Sequence, residues 1–114
     1  MNIAIFGFSG FLGSHISKEL SKNHNVSEIN ARNITYNSSE KEIFKYFNSK
    51  LIDIDIIINS CANTKPTNKN DFFINENLSK HIQNYIINNK LKTHLYHISS
   101  VNVLIKERKD KYTL

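Results

Sequence analysis

Gly7-Phe8-Ser9-Gly10-Phe11-Leu12-Gly13 decides how this chain is read. The three glycines in this G-x-x-G-x-x-G run are the only three in the protein. Just before them, Asn2 to Phe6 is short, apolar and rich in strand formers. Just after them, Leu12, Ile16 and Leu20 recur at helical spacing with serine and lysine between. Strand, glycine loop and helix in that order make a dinucleotide fingerprint. The first glycine turns the chain tightly off the strand, the second lets backbone approach a pyrophosphate, and the third allows close helix–strand packing. The helix start then offers unpaired N–H groups and a partial positive charge to phosphates. Gly7, Gly10 and Gly13, with Ser9, Phe11 and Leu12 between them, are the candidate cofactor-binding residues of this loop.

Working outward, Val26 to Ala31 reads as a second strand and Asn33 to Tyr36 as a weaker third. Ser38 or Ser39 can cap the helix that follows, with Glu42 at capping-box spacing from Ser39, and the helix stripe is Ile43, Phe44 and Phe47. Ile54 to Asn59 holds three consecutive isoleucines, which suits a parallel strand buried on both faces. Cys61 to Asn70 carries the only proline and reads as a loop. Asp71 to Leu91 reads as one long amphipathic helix with Phe73, Leu78, Ile82, Tyr85 and Ile86 inward, and His94 to Ser99 as the last strand. The order β-α-β-β-α-β-α-β implies an α/β, Rossmann-like, doubly wound parallel sheet, incomplete at the C-terminus. One domain, residues 1–114, is expected.

Composition narrows the function classes. The net charge is +5 with a pI near 9.4. The basic residues are scattered, and the densest run, Lys106 to Lys111, is interrupted by Glu107 and Asp110, which describes a solvated surface and not a nucleic-acid stripe. Cys61 is the only cysteine, so no internal disulfide can form. No metal site is expected, because the five histidines have no ligand spacing with cysteine or acids, and His94 and His97 would lie on opposite faces of a strand. There is no leader pattern and no membrane-length apolar run, so neither a membrane nor a nucleic-acid partner is expected, and a cytoplasmic protein is.

Against these residues, the chain resembles the extended short-chain dehydrogenase/reductases, the NAD-dependent epimerase/dehydratase group that modifies nucleotide sugars. Gly10-Phe11-Leu12-Gly13 matches the family's G-F-[IL]-G. Asp55 to Thr64 is similar to its D-V-V-I-N-x-A-A segment, especially in dTDP-4-dehydrorhamnose reductase-like members. Ile74-Asn75 fits the V-N of the long helix, and His97-Ile98-Ser99-Ser100 fits the strand before the catalytic hydroxyl. The resemblance implies cofactor contacts at Ala62, Thr64 and Asn75, and catalytic roles for Ser100 and Tyr112, which lies twelve residues later (112 − 100). Departures are Phe6, where the family has threonine, and the lysine of Y-x-x-x-K, which would fall beyond Leu114. That lysine favours the phenolate of a tyrosine whose ordinary pKa is near ~10. The expectation is therefore the cofactor portion of a longer enzyme, inactive alone.

Arg32 lies nineteen residues after Gly13 (32 − 13), where an acid would favour NAD through the ribose 2′-hydroxyl. An arginine there favours NADP(H) over NAD(H), because its fork can pair with a 2′-phosphate. The expected partners are the dinucleotide, a nucleotide-sugar substrate in the longer enzyme, and a second copy in a homodimer. Hydride transfer at a sugar carbon is the leading function, and a non-catalytic NADP(H)-binding or redox-sensing module is the alternative.

Overall fold

The computed structural model describes residues 1–61 and 66–98. In chain order the elements are β1 (Asn2–Phe6), α1 (Phe11–Leu20), β2 (Asn25–Ile29), a 3-10 turn (Ala31–Asn33), α2 (Glu40–Lys50), β3 (Ile56–Asn59), α3 (Lys69–Glu76), α4 (Leu78–Asn88) and β4 (His94–His97). The four strands form one sheet in the order β2-β1-β3-β4, all parallel. The architecture is the α/β, Rossmann-like one, and its glycine loop sits where the fingerprint requires.

The register divides the sheet into two faces. Ala4, Phe6, Ile29, Ile57 and Asn59 share one face, and that face carries the main core with α2, α3 and α4. Phe47 is fully buried there, edge-to-face with Phe6 at 6.0 Å and with Tyr85 at 5.4 Å. Ile3 and Ile5 occupy the other face and are also buried. Ile56 and Ile58 share that second face but are only half-buried. Burial of β3 on both faces is thus only partial.

Three local features depart from the sequence reading. The inward side of α1 is made by Gly13 and Ser17, with Ile16 and Leu20 half-buried and Leu12 exposed. Small residues bring this helix close to the sheet, and Ser17 Oγ donates to Glu28 Oε1 at 3.0 Å. Asn33 to Tyr36 is not a strand. Ser38 Oγ accepts from Thr35 N (3.0 Å) and Asn70 Oδ1 from Tyr36 N (3.2 Å), so side chains take backbone groups that a ladder would need. Ile34 still enters the core from this turn. The long helix breaks at Asn77 into α3 and α4. Phe73 and Leu78 are both buried, yet five residues on one straight helix would set them about 140° apart at ~100° per residue. The break brings both to the same core.

Helix α2 starts as its spacing predicts. Ser39 Oγ accepts from Glu42 N and also donates to Glu42 Oε1, both at 3.1 Å. Removing this cap by Ser39→Ala is expected to cost about 1 kcal/mol, read as a lower denaturation midpoint with an unchanged slope. An unchanged midpoint would show that solvent caps the helix equally well.

Candidate functional site

Order β2-β1-β3-β4 means that the chain leaves β1 toward β2 and then crosses back past β1 to β3. In open parallel sheets a ligand crevice opens at the carboxyl ends of the strands where the direction reverses. A cavity of about 510 Å³ lies there. Its floor is Gly7 to Gly10 with Ser60 and Cys61. One wall is Ile29 to Arg32 with Ile34 and Thr35, and the facing wall is Asn70, Asp71 and Ile74 from α3.

The glycine loop is built for this position, and its three glycines do different work. Gly7 has φ of +84°, and a Cβ there would meet Cys61 N at 2.7 Å and Ser60 C at 2.8 Å. A Cβ on Gly13 would run into the Gly7 carbonyl and would lie 2.7 Å from Ser60 Oγ. Ser60 Oγ is itself held, donating to Phe6 O at 2.8 Å with Gly7 O at 3.3 Å. Gly10 differs: a Cβ there meets only Gly7 O, at 3.6 Å, an ordinary contact. Nothing in the described protein needs glycine at position 10, and the space beside it faces the cavity.

Helix α1 begins at this loop without a side-chain cap and without an acid in its first turn. Helices α2 and α3, by contrast, are capped by Ser39 and Asn68. The first intrahelical bond of α1 is Ser14 N to Gly10 O, so the N–H groups of Phe11, Leu12 and Gly13 have no helical partner. An uncapped N-terminus over a cavity is suited to phosphate. The Phe11 and Leu12 side chains are 84% and 47% exposed and do not line the cavity, so what these two residues can offer a ligand is backbone.

Arg32 lies on the β2 wall, carried by the turn after the strand. Tyr46 on α2 pins that turn, donating from its hydroxyl to Asn30 O at 2.8 Å and accepting from Asn33 Nδ2 at 3.2 Å. Arg32 is thus a cation on a fixed backbone at one end of the cavity. Asn75 is half-buried on α3 and is not a lining residue; its neighbour Ile74 is. Ala62, Thr64, Ser100 and Tyr112 lie outside the described residues. Cys61 lines the floor, and burial pushes its thiol up to about 11, so it stays protonated at neutral pH and acts as a small apolar group.

Sequence reasoning missed one polar cluster. Asn59 at the end of β3 is fully buried, and it meets Ser79 of α4 and His97 of β4. The only signal available was a polar residue closing an isoleucine run. Among the described residues no helix is long and apolar enough to cross a membrane, and no group of His, Cys, Asp and Glu is placed to hold a metal ion.

No family model and no curated protein matches the chain. Solved structures do. CapF bound to the inhibitor 3-isopropenyl-tropolone superposes with a TM-score of 0.55 at 20% identity, over 99% of this chain and 29% of that one. The capsular polysaccharide assembling protein CapF from Staphylococcus aureus gives 0.51 at 21% identity, over 98% and 28%. A thiolation-reductase di-domain from an archaeal non-ribosomal peptide synthetase gives 0.52 at 19% identity, over 97% and 31%. The chain spans less than a third of the length of each of these three proteins. What it has in common with them is the Rossmann-like α/β fold.

Proposed function

We propose that this chain binds NADP(H) in the carboxyl-end cavity and is the cofactor-binding portion of a reductase or epimerase acting on nucleotide sugars. The observation that carries the reading is Gly10: glycine stands where only the space for a ligand calls for it, beside an uncapped helix N-terminus. The N–H groups of Phe11 to Gly13 would take the pyrophosphate, and Arg32 the 2′-phosphate. Bound there, the dinucleotide supplies or accepts hydride. The sugar class is supported by the likeness of the loop and of the Asp55 to Thr64 segment to nucleotide-sugar enzymes, and by a CapF that assembles capsular polysaccharide. Ser100 and Tyr112 are the proposed hydroxyls at the substrate.

Titration with NADPH and NADH, followed by nicotinamide fluorescence and thermal shift, tests the reading. Saturable binding with NADPH tighter than NADH is expected, with a melting temperature that rises with ligand concentration. Arg32→Ala should weaken NADPH by roughly tenfold and leave NADH nearly unchanged, since one charge-assisted contact is worth about 1.5–3 kcal/mol when well formed and less at an exposed position. An unchanged NADPH/NADH ratio would remove Arg32 from the site. No binding of either by the folded chain would overturn the proposal.

A further inference from the structure

The hydrogen bonds around Asn59 favour one state of a second group at the carboxyl edge. Cys61 N–H donates to Asn59 Oδ1 at 3.0 Å. A backbone N–H can only donate, so the Asn59 carboxamide must present its oxygen to Cys61 and its NH2 to the other side. That NH2 donates to Ser79 Oγ at 2.8 Å and lies 3.4 Å from His97 Nδ1. Ser79 Oγ is 2.7 Å from the same nitrogen. His97 Nδ1 therefore faces the Asn59 NH2 and a Ser79 hydroxyl that already accepts from Asn59, an arrangement that is satisfied with Nδ1 as acceptor. With Nδ1 accepting, the imidazole proton is on Nε2. His97 is exposed, and among the described residues nothing accepts from that N–H.

The position of this donor follows from the topology. His97 ends β4, two strands from the glycine loop on β1 and three from Arg32 beyond β2. Three strand spacings of ~4.8 Å amount to roughly 14 Å along the carboxyl edge. If the 2′-phosphate end lies at Arg32 and the pyrophosphate at Gly10, the rest of an extended dinucleotide runs over the ends of β3 and β4. We infer that His97, held as the Nε2–H tautomer by Ser79 and Asn59, donates a hydrogen bond to the nicotinamide-ribose half of the bound dinucleotide. This inference rests on the cavity being the dinucleotide site. Asn59 is a positioning residue: its oxygen holds the Cys61 amide of the cavity floor while its nitrogen helps set the tautomer of His97.

Two probes separate the inference from the reading beneath it. NADPH carries the nicotinamide-ribose half, and adenosine 2′,5′-bisphosphate lacks it. In the full chain labelled with 15N-histidine, His97 should show the Nε2–H tautomer without ligand, and Ser79→Ala should shift it toward a mixture. NADPH should move the His97 ring signals, and the bisphosphate should not. His97→Ala should weaken NADPH by about fivefold, the worth of one hydrogen bond, and leave the bisphosphate within about twofold, which also reports an intact fold. His97→Gln, which keeps an N–H donor, should restore most of the loss. An Nδ1–H tautomer, ring signals indifferent to NADPH, or equal NADPH affinity in His97→Ala would each overturn the inference while bisphosphate still binds. Failure of both probes to bind the unmodified chain would overturn the site itself, and the inference with it.

Discussion

Gly13→Ala should lower the stability of the fold by about 3 kcal/mol, whereas Gly10→Ala should change it by no more than about 1 kcal/mol. The two substitutions add the same methyl group to the same loop. At position 13 the methyl meets the backbone carbonyl of Gly7 and the Ser60 hydroxyl, which is already committed to the end of β1. Neither neighbour is the free end of a flexible side chain, so α1 must back away from β1. That separation also uncovers Ile3 and Ile5. At position 10, φ of −75° and ψ of 167° suit any residue, and the nearest atom is at ordinary contact distance. The price of that substitution should appear in binding, with NADPH affinity falling sharply, because in the proposed complex the methyl stands where the phosphates approach. Urea denaturation of both variants, followed by NADPH titration of Gly10→Ala, checks the pair. Equal stabilities would mean that α1 can move away at no cost. Full NADPH affinity in Gly10→Ala would mean that the loop is not the phosphate site.

Phe47→Ala should destabilise by about 4 kcal/mol, a large share of the ~5–15 kcal/mol by which domains are typically stable. Phe47 touches both Phe6 of the central strand and Tyr85 of α4, and it is fully buried. Truncating it removes the transfer energy of the ring, leaves a cavity, and breaks two edge-to-face contacts at once. Tyr85 is tied nearby through its hydroxyl, which donates to Asn48 Oδ1 at 2.7 Å, so it is restrained from filling the gap. Phe47→Leu should cost distinctly less, because most of the volume remains. Denaturation midpoints with unchanged slopes are the measurement. A loss under about 1 kcal/mol would show that α2 can collapse onto the sheet.

Much of the architecture could be read from the residues, and the reason is local. The glycine run, the isoleucines of β3 and the Ser39–Glu42 spacing each act within a few residues, so each states its own element. The errors arose where contacts outside an element's own pattern decide. Leu12 matches a helical stripe in α1, but Gly13 and Ser17 form the inward side, because that helix is drawn close by the absence of side chain at position 13. Asn33 to Tyr36 has strand-like residues, but Ser38 and Asn70 take its backbone groups. The break at Asn77 follows from the phase of Phe73 against Leu78, visible only once both are seen to face one core. At the site, Gly7, Gly10 and Arg32, picked out by spacing, line the cavity, whereas Gly13 does not line it and packs against Gly7 and Ser60. The Asn59–Ser79–His97 cluster could not, since its members are separated by 20 and 18 residues and meet only through the sheet.

The sheet order also bears on when the fold can form. Of the four described strands, the earliest in the sequence is a central one, and its partner β3 lies far down the chain: Asn2 N–H bonds Asp55 across 53 positions. Pairing of this kind closes a long loop before it returns any contact energy, and such topologies fold slowly. On a ribosome, β1, α1 and β2 would emerge together and could pair early, with the glycine loop already shaped on one side. Its other side, which needs Ser60, would stay unmade until β3 is free. The glycine loop should therefore become rigid only once β3 has paired with β1, and a dinucleotide that uses the proposed site could not be held before then.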